Sequence, residues 1–282
     1  MATDAAVITT ANVQNWIPRV WSKDVLVFVE KLLVTGALVD RSYEAFARGG
    51  GDVIVVPHLA ELAANVVNTS KDMTLYNAVQ NVTNISINKK YDIGILVDDI
   101  NQLQTNPKYY EKVRSKLAYG LAKQIDINTN VLFRDFDNTS GIVNVALTED
   151  TVIEAYTNLN LNDAPDSGRA WEFDPESIQD LLKLDYFIRM DYVPGSVVAS
   201  GFVGRQIMGS PVYMTTNLDT YAGGPHAAAY FHREALALVI QLDKPVEVFR
   251  VPLQHADGIS GLVVFGIQEM RGTWGNLINT RS

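Results

Sequence analysis

The chain has 282 residues, 47% hydrophobic and 20% charged, with a formal net charge of −9 and no cysteine. This composition is globular and sufficient for one large or two medium domains, and it excludes a disulfide framework, a thiolate nucleophile and a cysteine-based zinc site. The acidic balance argues against tight wrapping of nucleic acid, which needs Lys and Arg to neutralise phosphates, although an acidic chain can still enclose DNA without gripping it.

No apolar run reaches the ~20 residues of a membrane span, and the opening MATDAAVITT lacks a basic segment followed by an apolar one. Neither a membrane partner nor a secretory signal is expected. Residues 1–14 are small and polar and read as an extended arm that partners would order. Between residues 16 and 34, Ile17, Trp21, Val25, Val29, Leu32 and Leu33 follow a helical spacing. A helix beginning near Ser22 is predicted, with Trp16 and Trp21 as packing anchors just ahead of it and Arg19 between them. Gly49, Gly50 and Gly51 then precede a β-branched run from Asp52 to Pro57, which predicts a flexible joint feeding a strand. No Lys-Ser/Thr ending or following helix makes it a phosphate loop.

Residues 58–82 are mixed and polar, after which Ile85, Ile87, Ile93, Ile95 and Val97 alternate with a period of two. A long two-stranded ribbon is predicted, rising at 52–57 and returning at 83–97. Such a ribbon cannot bury enough surface alone, so something else should cover it.

Residues 107–133 form the organising stretch. Asn106 is a candidate N-cap with Pro107 at the first helical position, and Tyr110, Val113, Leu117, Leu121 and Ile125 mark one helix face. At ~1.5 Å per residue such a helix is roughly 40 Å long. Ala118, Gly120 and Ala122 supply a small-residue flank for close packing. Residues 138–144 read as turns, 148–159 as a capped helix, 169–173 as a strand, and 175–184 as a helix with Asp174 as N-cap. A strand at 209–218, a strand at 227–232, a helix at 233–240, and strands at 245–253 and 259–270 complete the pattern. Helices and strands mix without βαβ alternation, which predicts an α+β fold.

Chemistry is sparse along the chain. His226, His232 and Glu234 are the tightest group of metal-ligand residue types, but they lack the His-Glu-x-x-His spacing that puts two ligands on one helix face. Asp98 and Asp99 are adjacent and point apart on a strand, so a helix-entry cap is their simpler role. Neither a Gly-x-Ser-x-Gly elbow nor a nucleotide fingerprint is present. No catalytic residue, metal or cofactor is expected, and a metal-dependent enzyme is a remote alternative.

Three stretches together are similar to the major capsid proteins of tailed bacteriophages, the Hong Kong 97 phage-type shell fold. They are KKYDIGILVDDINQLQTN leading to YGLAKQIDINTNVLF; FDPESIQDLLKLDYFIRMDY with GFVGRQIMGSPVYMTTNL; and AAYFHREALALV with DGISGLVVFGIQEMRGTWGNLI. The resemblance implies an N-terminal arm and helix (1–45), an extended two-stranded loop (46–98), a peripheral domain with a spine helix (99–138), an axial domain (139–244) and peripheral closing strands (245–282). It also implies self-assembly through pentamers and hexamers into an icosahedral shell around double-stranded DNA, without sequence-specific binding. Assembly would take place in the host cytoplasm and the product would be the virion.

Trp16, Arg19, Trp21, Gly49, Gly50, Gly51, Lys71 and Asp72 are the candidate assembly positions. A separate scaffolding protein, or none, is expected, with portal and decoration proteins as further partners. A lysine–asparagine cross-link through Lys71 and Asn276 or Asn279 is weighed and set aside in favour of a solvated Lys71. An encapsulin-type nanocompartment is the alternative within this fold, and an adhesive or tail-associated virion protein is a further one that the helix-rich centre disfavours.

Overall fold

The computed structural model describes residues 34–48, 50–59, 80–98, 108–184, 206–220, 226–241 and 247–281. In chain order these form α1 (Thr35–Leu38), α2 (Glu44–Ala47), β1 (Val53–Leu59), β2 (Gln80–Ser86), β3 (Lys89–Asp98) and α3 (Lys108–Val131). Next come β4 (Asn138–Ser140), α4 (Glu149–Leu161), β5 (Arg169–Phe173), α5 (Pro175–Leu181), β6 (Gln206–Ile207), β7 (Ser210–Met214) and β8 (Ala227–His232). The series ends with β9 (Leu236–Gln241), β10 (Glu247–Val251), β11 (Ala256–Glu269) and β12 (Gly275–Asn279). The predicted α+β class holds.

The long helix α3 forms as its periodicity requires, and a 3-10 turn, Leu132–Asp135, continues it. Leu117, Ala118, Leu121, Ala122 and Ile125 are buried along one side. Its small-residue flank does what the sequence implied: a Cβ on Gly120 would lie 2.7 Å from Cδ1 of Ile93 on β3. That atom is the free end of a side chain and can swing away. Gly120→Ala should therefore be near neutral, because about 1 kcal/mol of helix propensity offsets a small rotamer cost; thermal unfolding of the variant measures the balance.

α4 packs on β4, β12 and β8 of a six-stranded sheet of order β4-β12-β8-β5-β7-β6, while α3 lies on β3 and β11 of a second sheet. β4 with β12 and β5 with β7 are parallel pairs, and the other neighbours are antiparallel. β12, β8 and β5 lie inside the sheet and are buried along their whole lengths. Two groups of ring contacts fill the interior, Trp171 with Phe173 and Tyr230, and Phe133 with Phe136 and Phe231. Local capping agrees with the sequence. The Thr148 hydroxyl accepts the Thr151 N–H of α4, and the Asp174 carboxylate accepts the N–H groups of Glu176 and Ser177 at 3.0 and 3.1 Å, fixing the start of α5.

A second sheet is built on β11, whose 14 residues serve three partners. β3 pairs with residues 256–265 along one edge; β10 and β9 pair with 256–260 and 264–269 along the other.

Several expectations need correction. The ribbon returning at 83–97 is in fact two strands in different sheets. β1 pairs with β2 alone, from Val53 opposite Ser86 to Leu59 opposite Gln80. β3 leaves the ribbon after Ile87 and Asn88 to join β11. The alternation of isoleucines runs through this break because both strands bury alternate residues, and period two carries no information about the partner. The helix expected at 233–240 is a 3-10 turn, Arg233–Ala235, followed by strand β9. Its run LALVI is buried on both faces, and such a run has no period to separate strand from helix. α5 stops at Leu181, not Leu184. β4 and β12 were not foreseen as strands, and β12 lies inside the sheet. The predicted arm, the helix near Ser22, and Asn106 and Pro107 fall outside the described residues.

Candidate assembly surfaces

The predicted glycine joint falls at the root of the β1–β2 ribbon. Gly50 and Gly51 have φ of 91° and 119°, a region that side chains with a Cβ rarely adopt, and a Cβ on either would meet nothing within 4 Å. Glycine is needed there for backbone conformation, not for space. Beyond the joint, β1 divides its residues by face. Ile54 and Val56 turn inward onto a small second core of Ala47, Ile85, Ile87, Ala237 and Val239. Val53 and Val55 are exposed, as is Val82 on β2. An open apolar groove of about 450 Å³ runs beside them, lined by Tyr43, Phe46, Val53, Val55 and Pro57, and Phe46 is 69% exposed.

Two further apolar places lie elsewhere. At the end of the β10–β11 hairpin a 3-10 turn, Pro252–Gln254, followed by His255 at φ 45°, presents Leu253 at 96% exposure. Val248, Phe249, Leu96 and Leu262 are exposed on the same sheet. After β4, Ile142 at 72%, Val143 and Val145 are exposed beside a cleft of about 370 Å³ bordered by Thr139, Thr148 and Glu154. Scattered exposed leucines are ordinary, whereas grouped ones mark contact surfaces. Sequence reasoning missed Phe46, Ile142 and Leu253. The one available signal was at Ile142, in a stretch that reads as turns, where a large apolar side chain has no core to enter.

Of the candidate assembly positions, Gly50 and Gly51 are described; Trp16, Arg19, Trp21, Gly49, Lys71 and Asp72 lie outside the described residues. Asn276 is fully buried, donating to Ser140 Oγ at 2.8 Å and accepting from Asn158 Nδ2 at 2.9 Å, while the Asn279 amide donates to the Gly141 carbonyl.

The His226, His232 and Glu234 group is not a converging set. His232 Nδ1 accepts the Glu234 N–H at 3.3 Å, so Nε2 carries the proton that it donates to the Ser167 carbonyl at 2.9 Å. Burial pushes its pKa down, which keeps the ring neutral. Nδ1 is thus spent on capping the turn at Arg233 and Nε2 on the Ser167 carbonyl, and the Glu234 residue is exposed. Among the described residues no three His, Cys, Asp or Glu side chains gather as metal ligands.

No protein-family profile and no curated protein sequence matches the chain. Solved structures do. A structure of Mycobacterium phage Che8 matches with a TM-score of 0.72 at 22% identity, covering 87% of this chain and 90% of that one. The capsid of cyanophage P-SCSP1u matches with a TM-score of 0.68 at 13% identity, covering 82% and 84% respectively. The fold is that of phage capsid proteins. A virus-like particle from Pyrococcus furiosus has the same capsid fold with a TM-score of 0.56 at 14% identity, covering 92% of this chain and 98% of that one.

The glycine joint gives a test of the surface beside it. Replacing Gly50 and Gly51 together with Ala places about 1–3 kcal/mol of backbone strain per residue at the root of the ribbon. Assembly should slow, or its product change size, as followed by light scattering and sedimentation. Kinetics and particle size equal to the parent's would mean that the joint does not matter.

Proposed function

We propose that the chain is the major capsid protein of a tailed double-stranded DNA phage, many copies of which close into an icosahedral shell around the genome. The observation that carries this reading is the two-way coverage in the Che8 match, 87% of this chain and 90% of the other, so the likeness extends over nearly a whole subunit. The separate apolar surfaces at Phe46, Ile142 and Leu253 support it. A subunit that meets several neighbours around closed symmetry needs more than one such surface, and repetition makes a stable container from modest contacts.

In this reading the role is mechanical and no reaction is catalysed. Within 1–45 and 46–98 the N-terminal segment and the β1–β2 ribbon reach neighbouring subunits while β3 stays paired with β11, 99–138 and 245–282 make a peripheral body, and 139–244 clusters at the five-fold and six-fold axes. Trp16, Arg19, Trp21, the 49–51 glycines, Lys71 and Asp72 take part in those contacts. Scaffolding, portal and decoration proteins are the further partners, DNA is enclosed without sequence preference, and assembly takes place in the host cytoplasm.

A cellular nanocompartment built on the same fold is the second reading, favoured by the 98% coverage of the Pyrococcus furiosus particle but with a TM-score of 0.56 against 0.72. Electron microscopy of the purified chain, alone and with proteins encoded beside it, tests the shell. Closed particles or rings are expected, and a persistent monomer under every condition would overturn it. Particles from the native source should contain DNA; a protein cargo instead would select the nanocompartment.

A further inference from the structure

Where the N-terminal part of the chain enters the body, it is held by two buried carboxyl groups. Asp126 on α3 accepts the backbone N–H of Val34 at 3.3 Å and of Gly36 at 3.4 Å. Glu172 on β5 accepts the Thr35 hydroxyl at 2.7 Å. Thr35, Asp126 and Glu172 are each at most 1% exposed. Immediately afterwards Asp40 bonds to the Arg233 and Leu236 carbonyls and fixes the chain on β9. Residues 34–38 are therefore a strap, anchored at its far end by β9 and by Leu38 against the main core, with its first residues seated on two acids.

The two acids are not equivalent. Asp126 is surrounded by donors: the N–H groups of residues 34–36 and the Asn217 side chain. It can carry its charge at neutral pH, and burial with this partial compensation leaves its pKa at about 6. Glu172 has one donor, and its Oε2 has no hydrogen-bond partner. Burial, with the Asp126 charge beside it, pushes its pKa to about 8 against the Thr35 hydrogen bond. The charged group that acts on Glu172 is Asp126, while Arg134 pairs with Asp219 at 2.8 Å and Arg233 with Asp40 at 3.9 Å. At neutral pH the stable arrangement is an ionised Asp126 beside a protonated Glu172.

We propose that Glu172 is a proton-controlled latch for the 34–38 strap: the strap seats while Glu172 is protonated and lifts when Glu172 ionises. An ionised Glu172 would set an unpaired buried charge next to a like charge, and the cheapest relief is to let water in by displacing Thr35. Both folded pKa values are raised, so the folded chain holds these protons more tightly than the unfolded one. Through Glu172, seating is favoured below about pH 8 and lost as pH rises through that value. Asp126, whose charge the strap's N–H groups stabilise, holds the strap best when ionised. This inference does not depend on the shell reading.

Hydrogen exchange of the full chain, corrected for the intrinsic rate and held in one assembly state checked by sedimentation, tests it. The amides of residues 35–38 should lose about tenfold or more of their protection between about pH 7 and about pH 9.5. Glu172→Gln keeps the shape and an acceptor for Thr35 but cannot ionise, so it should change less than about twofold over the same range. In the infrared, a protonated carboxylic acid band should be present at neutral pH and fade with the same midpoint as strap release. The latch is wrong if the parent keeps its protection at the higher pH, or if the variant loses as much as the parent. Should the variant not fold, the two parent profiles decide: coincident midpoints support the latch and separated ones overturn it.

Discussion

Trp171→Ala should destabilise the subunit by about 3–5 kcal/mol, the cost of removing a fully buried aromatic side chain from a packed interior. Trp171 stands on β5, with β8 on one side and β7 on the other. Its ring stacks on Tyr230 with centroids 3.8 Å apart and on Phe173 at 5.7 Å, while its indole N–H donates to the Ile207 carbonyl at 3.2 Å. Truncation empties the place where three strands meet and leaves that carbonyl without its donor. Against a total stability of about 5–15 kcal/mol, the loss is a large fraction. Guanidinium unfolding of the unassembled subunit should show the midpoint falling sharply. Trp171→Phe retains stacking and should lose clearly less. Equal losses would mean that the indole hydrogen bond, and not the filled volume, dominates the site.

The second large effect is expected at Gly266 on β11. A Cβ there would lie 2.6 Å from the Ser86 carbonyl oxygen, 3.0 Å from its carbon and 3.1 Å from Cα of Ile87. All three are backbone atoms, so no rotamer change relieves the contact, in contrast to Gly120. Gly266→Ala should cost about 2–3 kcal/mol, the upper range for overpacking. The damage should be local. Ser86 and Ile87 end the ribbon strand where Ile85 and Ile87 enter the second core, so hydrogen exchange across β2 should rise while β5 and β8 stay protected. Uniform loss of protection would mean that the ribbon and the main sheet unfold as one unit.

These two positions show how far the sequence could be read. The long helix was legible because Leu117, Leu121 and Ile125 recur at helical spacing; the caps at Thr148 and Asp174 were legible because short-range hydrogen bonds are written in adjacent residues. The strand at Leu236–Gln241 was not, because a wholly apolar run has no period. Nor was the change of partner between β2 and β3, since alternation specifies which side chains turn inward and not which strand they lie against.

The surfaces follow the same division. The glycines at 50 and 51 announced themselves, because few residues other than glycine suit such φ values. The Thr35, Asp126 and Glu172 cluster could not be foreseen: its members come from three distant elements, and each alone is an unremarkable polar residue.

The position of β12 bears on synthesis. The strand order places Gly275–Asn279 between β4 and β8, so two parts of the main sheet separated by long stretches of chain are joined through residues that the ribosome delivers after both. Until those residues emerge, Ala227–His232 lacks a neighbour along one edge, and the helix at Glu149–Leu161 lacks part of the floor it packs on. The nascent subunit therefore passes through a period with an open, apolar strand edge, the kind of intermediate on which chaperones act. The same delay is a form of quality control, because a chain cut short before residue 275 never closes its main sheet.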